Sequence, residues 1–137
     1  MSKQDPLIGT WKLDIAKSNY WAFWQATVTE ASGTYRELGN GQIEVNATGT
    51  RLDDSNISFI GTFPRQGGGA PAAEGLSYVV TVIDLYSFYL TILQDGKQVL
   101  MYESKISKDG KTKRDRFKGI DPSGKPYEGV EVWDKQD

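Results

Sequence analysis

Four side chains that can carry a charge or move a proton are predicted to lie on inward faces of the strands: Arg51, Tyr102, Asp115 and Glu128. Successive side chains of a strand point to opposite faces, and these four alternate with apolar neighbours. An unpaired charge in an apolar interior costs several kcal/mol, so each group should be paired or functional. Asp115 or Glu128 could act as general acid or base, while Tyr102 or Arg51 orients a carbonyl or carboxylate. A structural ion pair is the alternative.

The choice of these acids depends on the phase of the last two strands. Val130 and Val132 mark the inward face of the last strand, and Glu128 shares their alternation. In the preceding strand, Phe117 marks the inward face, and Asp115 shares its alternation. The candidate catalytic residues are therefore Asp115, Glu128 and Tyr102. A bulge of one residue would turn the other face of a strand inward. Glu103, Arg114 or Arg116 would then take the place of the charged residues named above.

Two absent residue types narrow the chemistry. The 137 residues contain no histidine and no cysteine, which excludes a conventional Ser-His-Asp triad, a disulfide and a Cys-based metal site. Proton transfer would have to use Asp, Glu, Tyr, Lys or Arg. The run Asp53-Asp54-Ser55-Asn56 lacks the spacing and terminal glutamate of an EF-hand, so we predict a polar hairpin turn there. We expect neither a metal nor a cofactor.

A dense aromatic cluster suggests where a ligand could bind. Tyr20, Trp21, Phe23 and Trp24 are four aromatic residues within five positions. On a strand they must point to both faces, so they cannot all lie in one small core. Trp24 could lie in the core while the other aromatic residues shield the end of the barrel. Alternatively, the cluster could stack on a ring-containing ligand or form an oligomer contact. The candidate ligand-binding residues join this cluster to predicted inward side chains: Trp21, Phe23, Trp24, Arg51, Phe59, Phe63, Phe88 and Arg116.

Turn chemistry predicts the elements that position these residues. Asp95-Gly96, Lys108-Asp109-Gly110 and Pro122-Ser123-Gly124 each separate two strand-favouring runs, as in β-hairpins. We predict an all-β fold, in which a single antiparallel meander of about eight to ten strands closes into a barrel to remove its exposed edges. Residues 1–137 are predicted to form one domain. Residues 64–76, rich in Gly, Pro and Ala, are predicted to be a flexible rim loop, either a lid or a plain connection.

Both ends of the chain resemble a known family. Gly9-Thr10-Trp11 resembles the Gly-x-Trp signature of lipocalins and their calycin relatives, in which the tryptophan closes one end of the barrel. Together with the segments 107–112, 119–126 and 133–136, it is similar to uncharacterised small bacterial lipocalin-like proteins. The resemblance implies a lipocalin-like β-barrel. Members of this group commonly appear secreted and have no agreed activity, so the resemblance implies no particular chemistry.

The expected function follows from a closed barrel of this size, which can enclose one small ligand. We expect a binding module that holds a small hydrophobic, ring-containing molecule. The alternative is a cofactor-independent isomerase, cyclase or lyase that uses a buried carboxylate and the shape of the cavity. A third interpretation is an inhibitor or interaction protein that works through its outer surface.

Charge and segment composition set the expected partners. The 16 basic and 18 acidic residues are interspersed and give a formal charge of −2, so we expect no nucleic-acid partner. No apolar stretch approaches the roughly 20 residues of a membrane helix, and we expect no membrane partner. The start, Met1–Pro6, has no apolar signal region. We expect a cytoplasmic monomer or homodimer; a secreted or periplasmic location would need a signal peptide removed from this sequence.

Overall fold

Ten strands form one antiparallel sheet in the computed structural model, which describes residues 5–18, 28–71, 75–121 and 123–136. The strands are β1 Gly9–Leu13, β2 Val28–Gly39, β3 Gln42–Arg51, β4 Asn56–Pro64, β5 Gly68–Pro71, β6 Leu76–Asp84, β7 Ser87–Gln94, β8 Lys97–Ile106, β9 Thr112–Ile120 and β10 Pro126–Lys135. The sheet order is β4-β3-β2-β1-β10-β9-β8-β7-β6-β5, so consecutive strands are neighbours except that β1 pairs with β10 and β4 and β5 are the edges. A short 3-10 helix, Ile15–Lys17, follows β1.

The first and last strands pair in the middle of the sheet, and the barrel closes where its two edges approach each other. Leu13 of β1 lies opposite Trp133 of β10, so the first strand joins the last. The sheet edges are β4 and β5, and the Tyr78 hydroxyl on β6 donates a hydrogen bond to the Thr62 carbonyl on β4. The sheet therefore forms a nearly closed barrel. The predicted all-β meander is confirmed.

Two of the tight turns show why the hairpins form where they do. Asn40 and Gly41 have φ values of 54° and 75°, and Asp95 and Gly96 have φ values of 51° and 84°. Two consecutive residues with positive φ make the turn whose twist matches that of the flanking strands, and Asn-Gly and Asp-Gly favour it. The Asp95-Gly96 hairpin of the sequence analysis is thereby confirmed.

Part of the predicted rim loop is a strand instead. Within residues 64–76, β5 pairs with β6 from Gly68 opposite Val80 to Pro71 opposite Ser77. The prediction placed this run outside the sheet because it has few side chains that could anchor it. Strand pairing uses backbone groups, which Gly68 and Gly69 supply as well as any residue.

One end of the barrel is closed around Trp11. The Trp11 side chain is 0% exposed, and its indole Nε1 donates a hydrogen bond of 3.0 Å to the Leu7 carbonyl. Beside it, Arg65 forms an ion pair with Asp5, with Nε 2.7 Å from Oδ2. The guanidinium also donates to the Leu85 carbonyl at 2.7 Å. This closed end is filled by side chains.

No helix in the described part of the chain is long and apolar enough to cross a membrane.

Trp11→Ala is expected to lower the free energy of unfolding by about 3–5 kcal/mol, because it leaves a cavity where the side chain was fully buried. Guanidinium unfolding followed by circular dichroism measures this loss. Leu52→Ala is the control, since Leu52 is 69% exposed, and its effect should stay within about 0.5 kcal/mol. Equal effects of the two changes would contradict the account of the closed end.

Candidate functional site

The barrel encloses a cavity of about 1190 Å³. Most strands contribute side chains to it through their inward-facing positions, which alternate along each strand. Its wall is largely apolar, with contributions from Val45, Ala47, Phe63, Phe88, Leu90, Ile92 and Leu100.

The cavity reaches the surface at the end of the barrel opposite Trp11. Exposed residues of the β7–β8 hairpin, Gln94, Lys97 and Gln98, line it there. Ile120, at the end of β9, also lines this rim and is exposed. The cavity therefore has one filled end and one end lined by exposed residues.

A buried ion pair lies in the wall at β9. Lys113 and Asp115 are two residues apart on one strand, so both side chains point to the same face. Lys113 is 1% exposed and Asp115 is 5% exposed, and Lys113 Nζ lies 2.5 Å from Asp115 Oδ2. The ammonium also lies 5.5 Å from the centre of the Tyr35 ring and 5.4 Å from that of Trp133. These aromatic faces and the carboxylate replace the water that the ammonium loses on burial.

A second buried acid lies beside this pair. Glu131 of β10 is directly opposite Asp115 in the sheet, and Ser104 of β8 is opposite Asp115 on the other side. Both are buried and line the cavity. The indole Nε1 of Trp133 donates a hydrogen bond of 3.3 Å to Glu131 Oε1. We call Lys113, Asp115, Glu131 and Ser104 the polar cluster. Asp115, Glu131 and Ser104 bring two carboxylates and a hydroxyl into a largely apolar wall, while Lys113 is bonded to Asp115 and does not itself line the cavity.

One acceptor of the polar cluster has no donor among the described residues. Asp115 Oδ2 is bonded to Lys113, whereas Asp115 Oδ1 is buried and accepts no hydrogen bond from the described part of the chain. Buried polar atoms are nearly always hydrogen-bonded to protein, water or ligand. Among the described residues, Asp115 Oδ1 is therefore an unpaired acceptor on a side chain that lines the cavity.

Burial also sets the protonation of the neighbouring groups. Burial raises the pKa of the Tyr102 hydroxyl well above its ordinary value, and the charges of Glu131 and Asp115 raise it further. Burial likewise raises the pKa of Tyr35, while the nearby Lys113 partly opposes that shift. For Lys113, burial is the largest single effect and lowers the pKa, but the charge and hydrogen bond of Asp115, with contributions from Tyr35 and Glu131, together outweigh burial, and the net pKa is raised. Both tyrosines thus stay neutral hydrogen-bond donors, and Lys113 stays charged.

The structure brings some of the predicted site residues together. Tyr102 and Asp115 line the cavity, as do Phe59, Phe63 and Phe88. Phe59 is 39% exposed, while Phe63 and Phe88 are buried. The part that these residues play in binding or catalysis stays a prediction. The aromatic residues Trp21, Phe23 and Trp24 lie outside the described residues.

The predicted inward position of Glu128 is wrong. Glu128 is exposed on the outer face of β10, whereas Tyr127, Glu131 and Trp133 line the cavity. Val130 and Val132 indicated the wrong face because the outer face of β10 is also buried at Val132. Asp14 N donates to the Val132 carbonyl, and Val132 N donates to Ser18 Oγ, so the chain after β1 runs along this part of β10.

Neither predicted arginine lies in the cavity wall. Arg116 is exposed on the outer face of β9, because Asp115 and Phe117 occupy the inward positions on either side of it. Arg51 is the last residue of β3, where its Nη1 donates a hydrogen bond of 3.2 Å to Ser55 Oγ. Arg51 therefore contacts the following turn and does not line the cavity.

Lys113, Glu131 and Ser104 are the members of the polar cluster that the sequence analysis missed. The alternation that placed Asp115 and Phe117 inward also places Lys113 inward, so a signal was present. Glu131 was missed because the phase of β10 was taken from Val130 and Val132. Among the described residues, no group of three or more acidic, His or Cys side chains could hold a metal ion.

Comparison with known proteins identifies structures of similar fold. No protein-family model matches the chain, and no curated protein matches its sequence. A mutant of the fluorescent protein UnaG has a similar structure, with a TM-score of 0.66, 14% identity, and coverage of 96% of this chain and 97% of that one. The barrel has the calycin-type, lipocalin-like fold. Rv2717c from M. tuberculosis is also similar, with a TM-score of 0.61, 11% identity and coverage of 96% and 94%.

A third similar structure was solved with a small molecule. The zebrafish ileal bile acid-binding protein, complexed with cholic acid, has a TM-score of 0.53 and 9% identity. The match covers 96% of this chain and 99% of that one. At these identities the likeness extends to the fold alone.

Asp115→Asn is expected to lower the free energy of unfolding by about 3–5 kcal/mol, because it leaves the Lys113 ammonium buried without its partner. Replacing the pair together, with Lys113→Met and Asp115→Leu, should recover most of that loss, since apolar residues need no compensation. Denaturant titration measures both.

The matched control for Asp115→Asn is Glu128→Gln, because Glu128 is an exposed acid on the neighbouring strand. Its effect should stay within about 0.5 kcal/mol. An Asp115→Asn protein as stable as the Glu128→Gln protein would show that the ion pair is not buried as described.

Proposed function

We propose that this protein binds a small hydrophobic, ring-containing molecule inside its barrel. The observation that carries the proposal is the cavity of about 1190 Å³, enclosed by the sheet and walled mainly by apolar side chains. Ligand pockets commonly measure about 300–1,000 Å³ and combine an apolar wall with a few placed polar groups. This cavity has both features, and its volume suits a molecule of several rings.

The aromatic lining favours a ring system over a flexible chain. Phe63 and Phe88 are stacked with their ring centres 6.4 Å apart at the inner end of the cavity. Tyr102 packs against Phe117 with ring centres 5.5 Å apart. Flat side chains of this kind stack on rings with an attraction beyond the burial of area.

The structural neighbours support binding in the interior. The zebrafish protein of the same fold is complexed with cholic acid, which is itself a ring-containing molecule. Because the identity is 9%, the likeness supports the class of ligand and not its identity.

Binding can be tested with N-phenyl-naphthylamine, a neutral ring probe whose fluorescence rises in apolar surroundings. We expect an affinity on the order of micromolar. Ala47→Trp should weaken it by at least about tenfold, because Ala47 lines the cavity and a tryptophan there would occupy space that the probe needs. Asn46→Trp, which adds the same side chain to the exposed face of the same strand, should bind like the unaltered protein. Identical binding by both variants would place the probe outside the barrel and reject the proposal.

A cofactor-independent isomerase, cyclase or lyase is the second candidate. The observation that favours it is the shared position of Asp115 and Tyr102 in the cavity wall. Asp115 would move the proton, and Tyr102, kept neutral by its raised pKa, would donate a hydrogen bond to a substrate oxygen.

Mass spectrometry separates the two candidates. Molecules released from the unaltered protein and from the Asp115→Asn protein, purified from the same cells, would be compared. An enzyme should retain a different isomer or an unconverted precursor in the variant. A carrier should retain the same molecule in both, and that result would exclude catalysis by Asp115.

A further inference from the structure

We propose that the ligand of this cavity carries a protonated amine, which Asp115 binds in the polar cluster. The inference rests on the proposed function, since it concerns the polar group of a molecule held in the barrel.

The wall presents acids to the interior. Asp115 and Glu131 are buried and line the cavity side by side. Among the described lining residues, Lys97 is the one cation, and it lies exposed at the rim in the β7–β8 hairpin. A ligand that reaches the inner part of the cavity therefore meets carboxylates and no accessible ammonium or guanidinium of the described residues.

The two buried cations in the described part of the chain are already engaged. Lys113 is bonded to Asp115, lies against the rings of Tyr35 and Trp133, and is not part of the cavity lining. Arg65 is bonded to Asp5 and to the Leu85 carbonyl at the closed end. Residues 19–27 of the sequence contain no lysine or arginine, so that segment supplies no cation either.

The charge of the polar cluster follows from its members. One ammonium, Lys113, lies with two carboxylates, Asp115 and Glu131, so the formal sum is −1 when all three are ionised. Charges interact more strongly in a poorly hydrated interior than in water. A carboxylate ligand would be repelled here, and a cation would complete the balance.

Asp115 supplies the point of attachment. Its Oδ2 is used by Lys113, while its buried Oδ1 accepts no hydrogen bond from the described residues. A protonated amine is a donor with a positive charge, and hydrogen bonds between charged groups are stronger than neutral ones. The Ser104 side chain, opposite Asp115 on β8, and the Tyr102 ring two residues before it on the same strand lie in the same wall.

The test compares three naphthalene compounds of similar size as competitors for N-phenyl-naphthylamine at neutral pH. Naphthylethylamine is cationic, naphthylethanol is neutral and naphthylacetate is anionic. We expect naphthylethylamine to bind at least about tenfold more tightly than either of the others, as a charge-assisted hydrogen bond would give. Equal or tighter binding of naphthylacetate would overturn the inference, and so would equal binding of naphthylethanol.

Two variants test whether Asp115 causes the preference. Asp115→Asn should reduce the preference for the amine over naphthylethanol by about tenfold or more. The double change Lys113→Met with Asp115→Leu removes the carboxylate without stranding the ammonium, and it should have the same effect if Asp115→Asn does not fold. Glu128→Gln, the exposed acid on β10, should keep the full preference. A preference that survives the loss of Asp115 would overturn its assignment.

The neutral probe keeps this test separate from that of the proposed function. If N-phenyl-naphthylamine and naphthylethanol bind while the amine shows no advantage, the cavity binds ligands and the amine inference alone fails. If none of the compounds binds, the proposed function fails as well.

Discussion

The buried ion pair between Lys113 and Asp115 constrains which faces of the neighbouring strands point into the barrel. Removing two charges from water costs several kcal/mol per ion, and their attraction repays this only with good geometry and further partners. Here the ammonium contacts the carboxylate at 2.5 Å and lies against two aromatic rings. The inward faces of β8, β9 and β10 must therefore stay in register, because a slip of one residue would turn this pair out of the barrel.

The closure of the sheet gives this cluster its surroundings. The pairing of β1 with β10 joins the two ends of the chain, and Trp11 and the Arg65–Asp5 pair fill the barrel end beyond the cluster. The remaining space lies between the cluster and the rim at the β7–β8 hairpin. Under the proposed function, a molecule that enters at the rim passes a largely apolar wall before it reaches Asp115 and Glu131.

Local turn chemistry made most of this fold predictable. Consecutive residues with positive φ, such as Asp95-Gly96, determine the hairpins, and alternation placed Tyr102 and Asp115 inward correctly. The strand at Gly68–Pro71 could not be predicted, because its pairing uses backbone groups and its side chains leave no pattern. The outward position of Glu128 was also hidden, because Val130 and Val132 on the outer face of β10 are apolar and Val132 is buried, as residues of a core face are.

The most direct test of the account is a crystal structure of the protein with bound naphthylethylamine. The account predicts that the rings lie inside the barrel against the apolar wall and that the nitrogen lies within hydrogen-bond distance of Asp115 Oδ1. Density for the compound on the outer surface, or an interior completely filled by side chains, would contradict it.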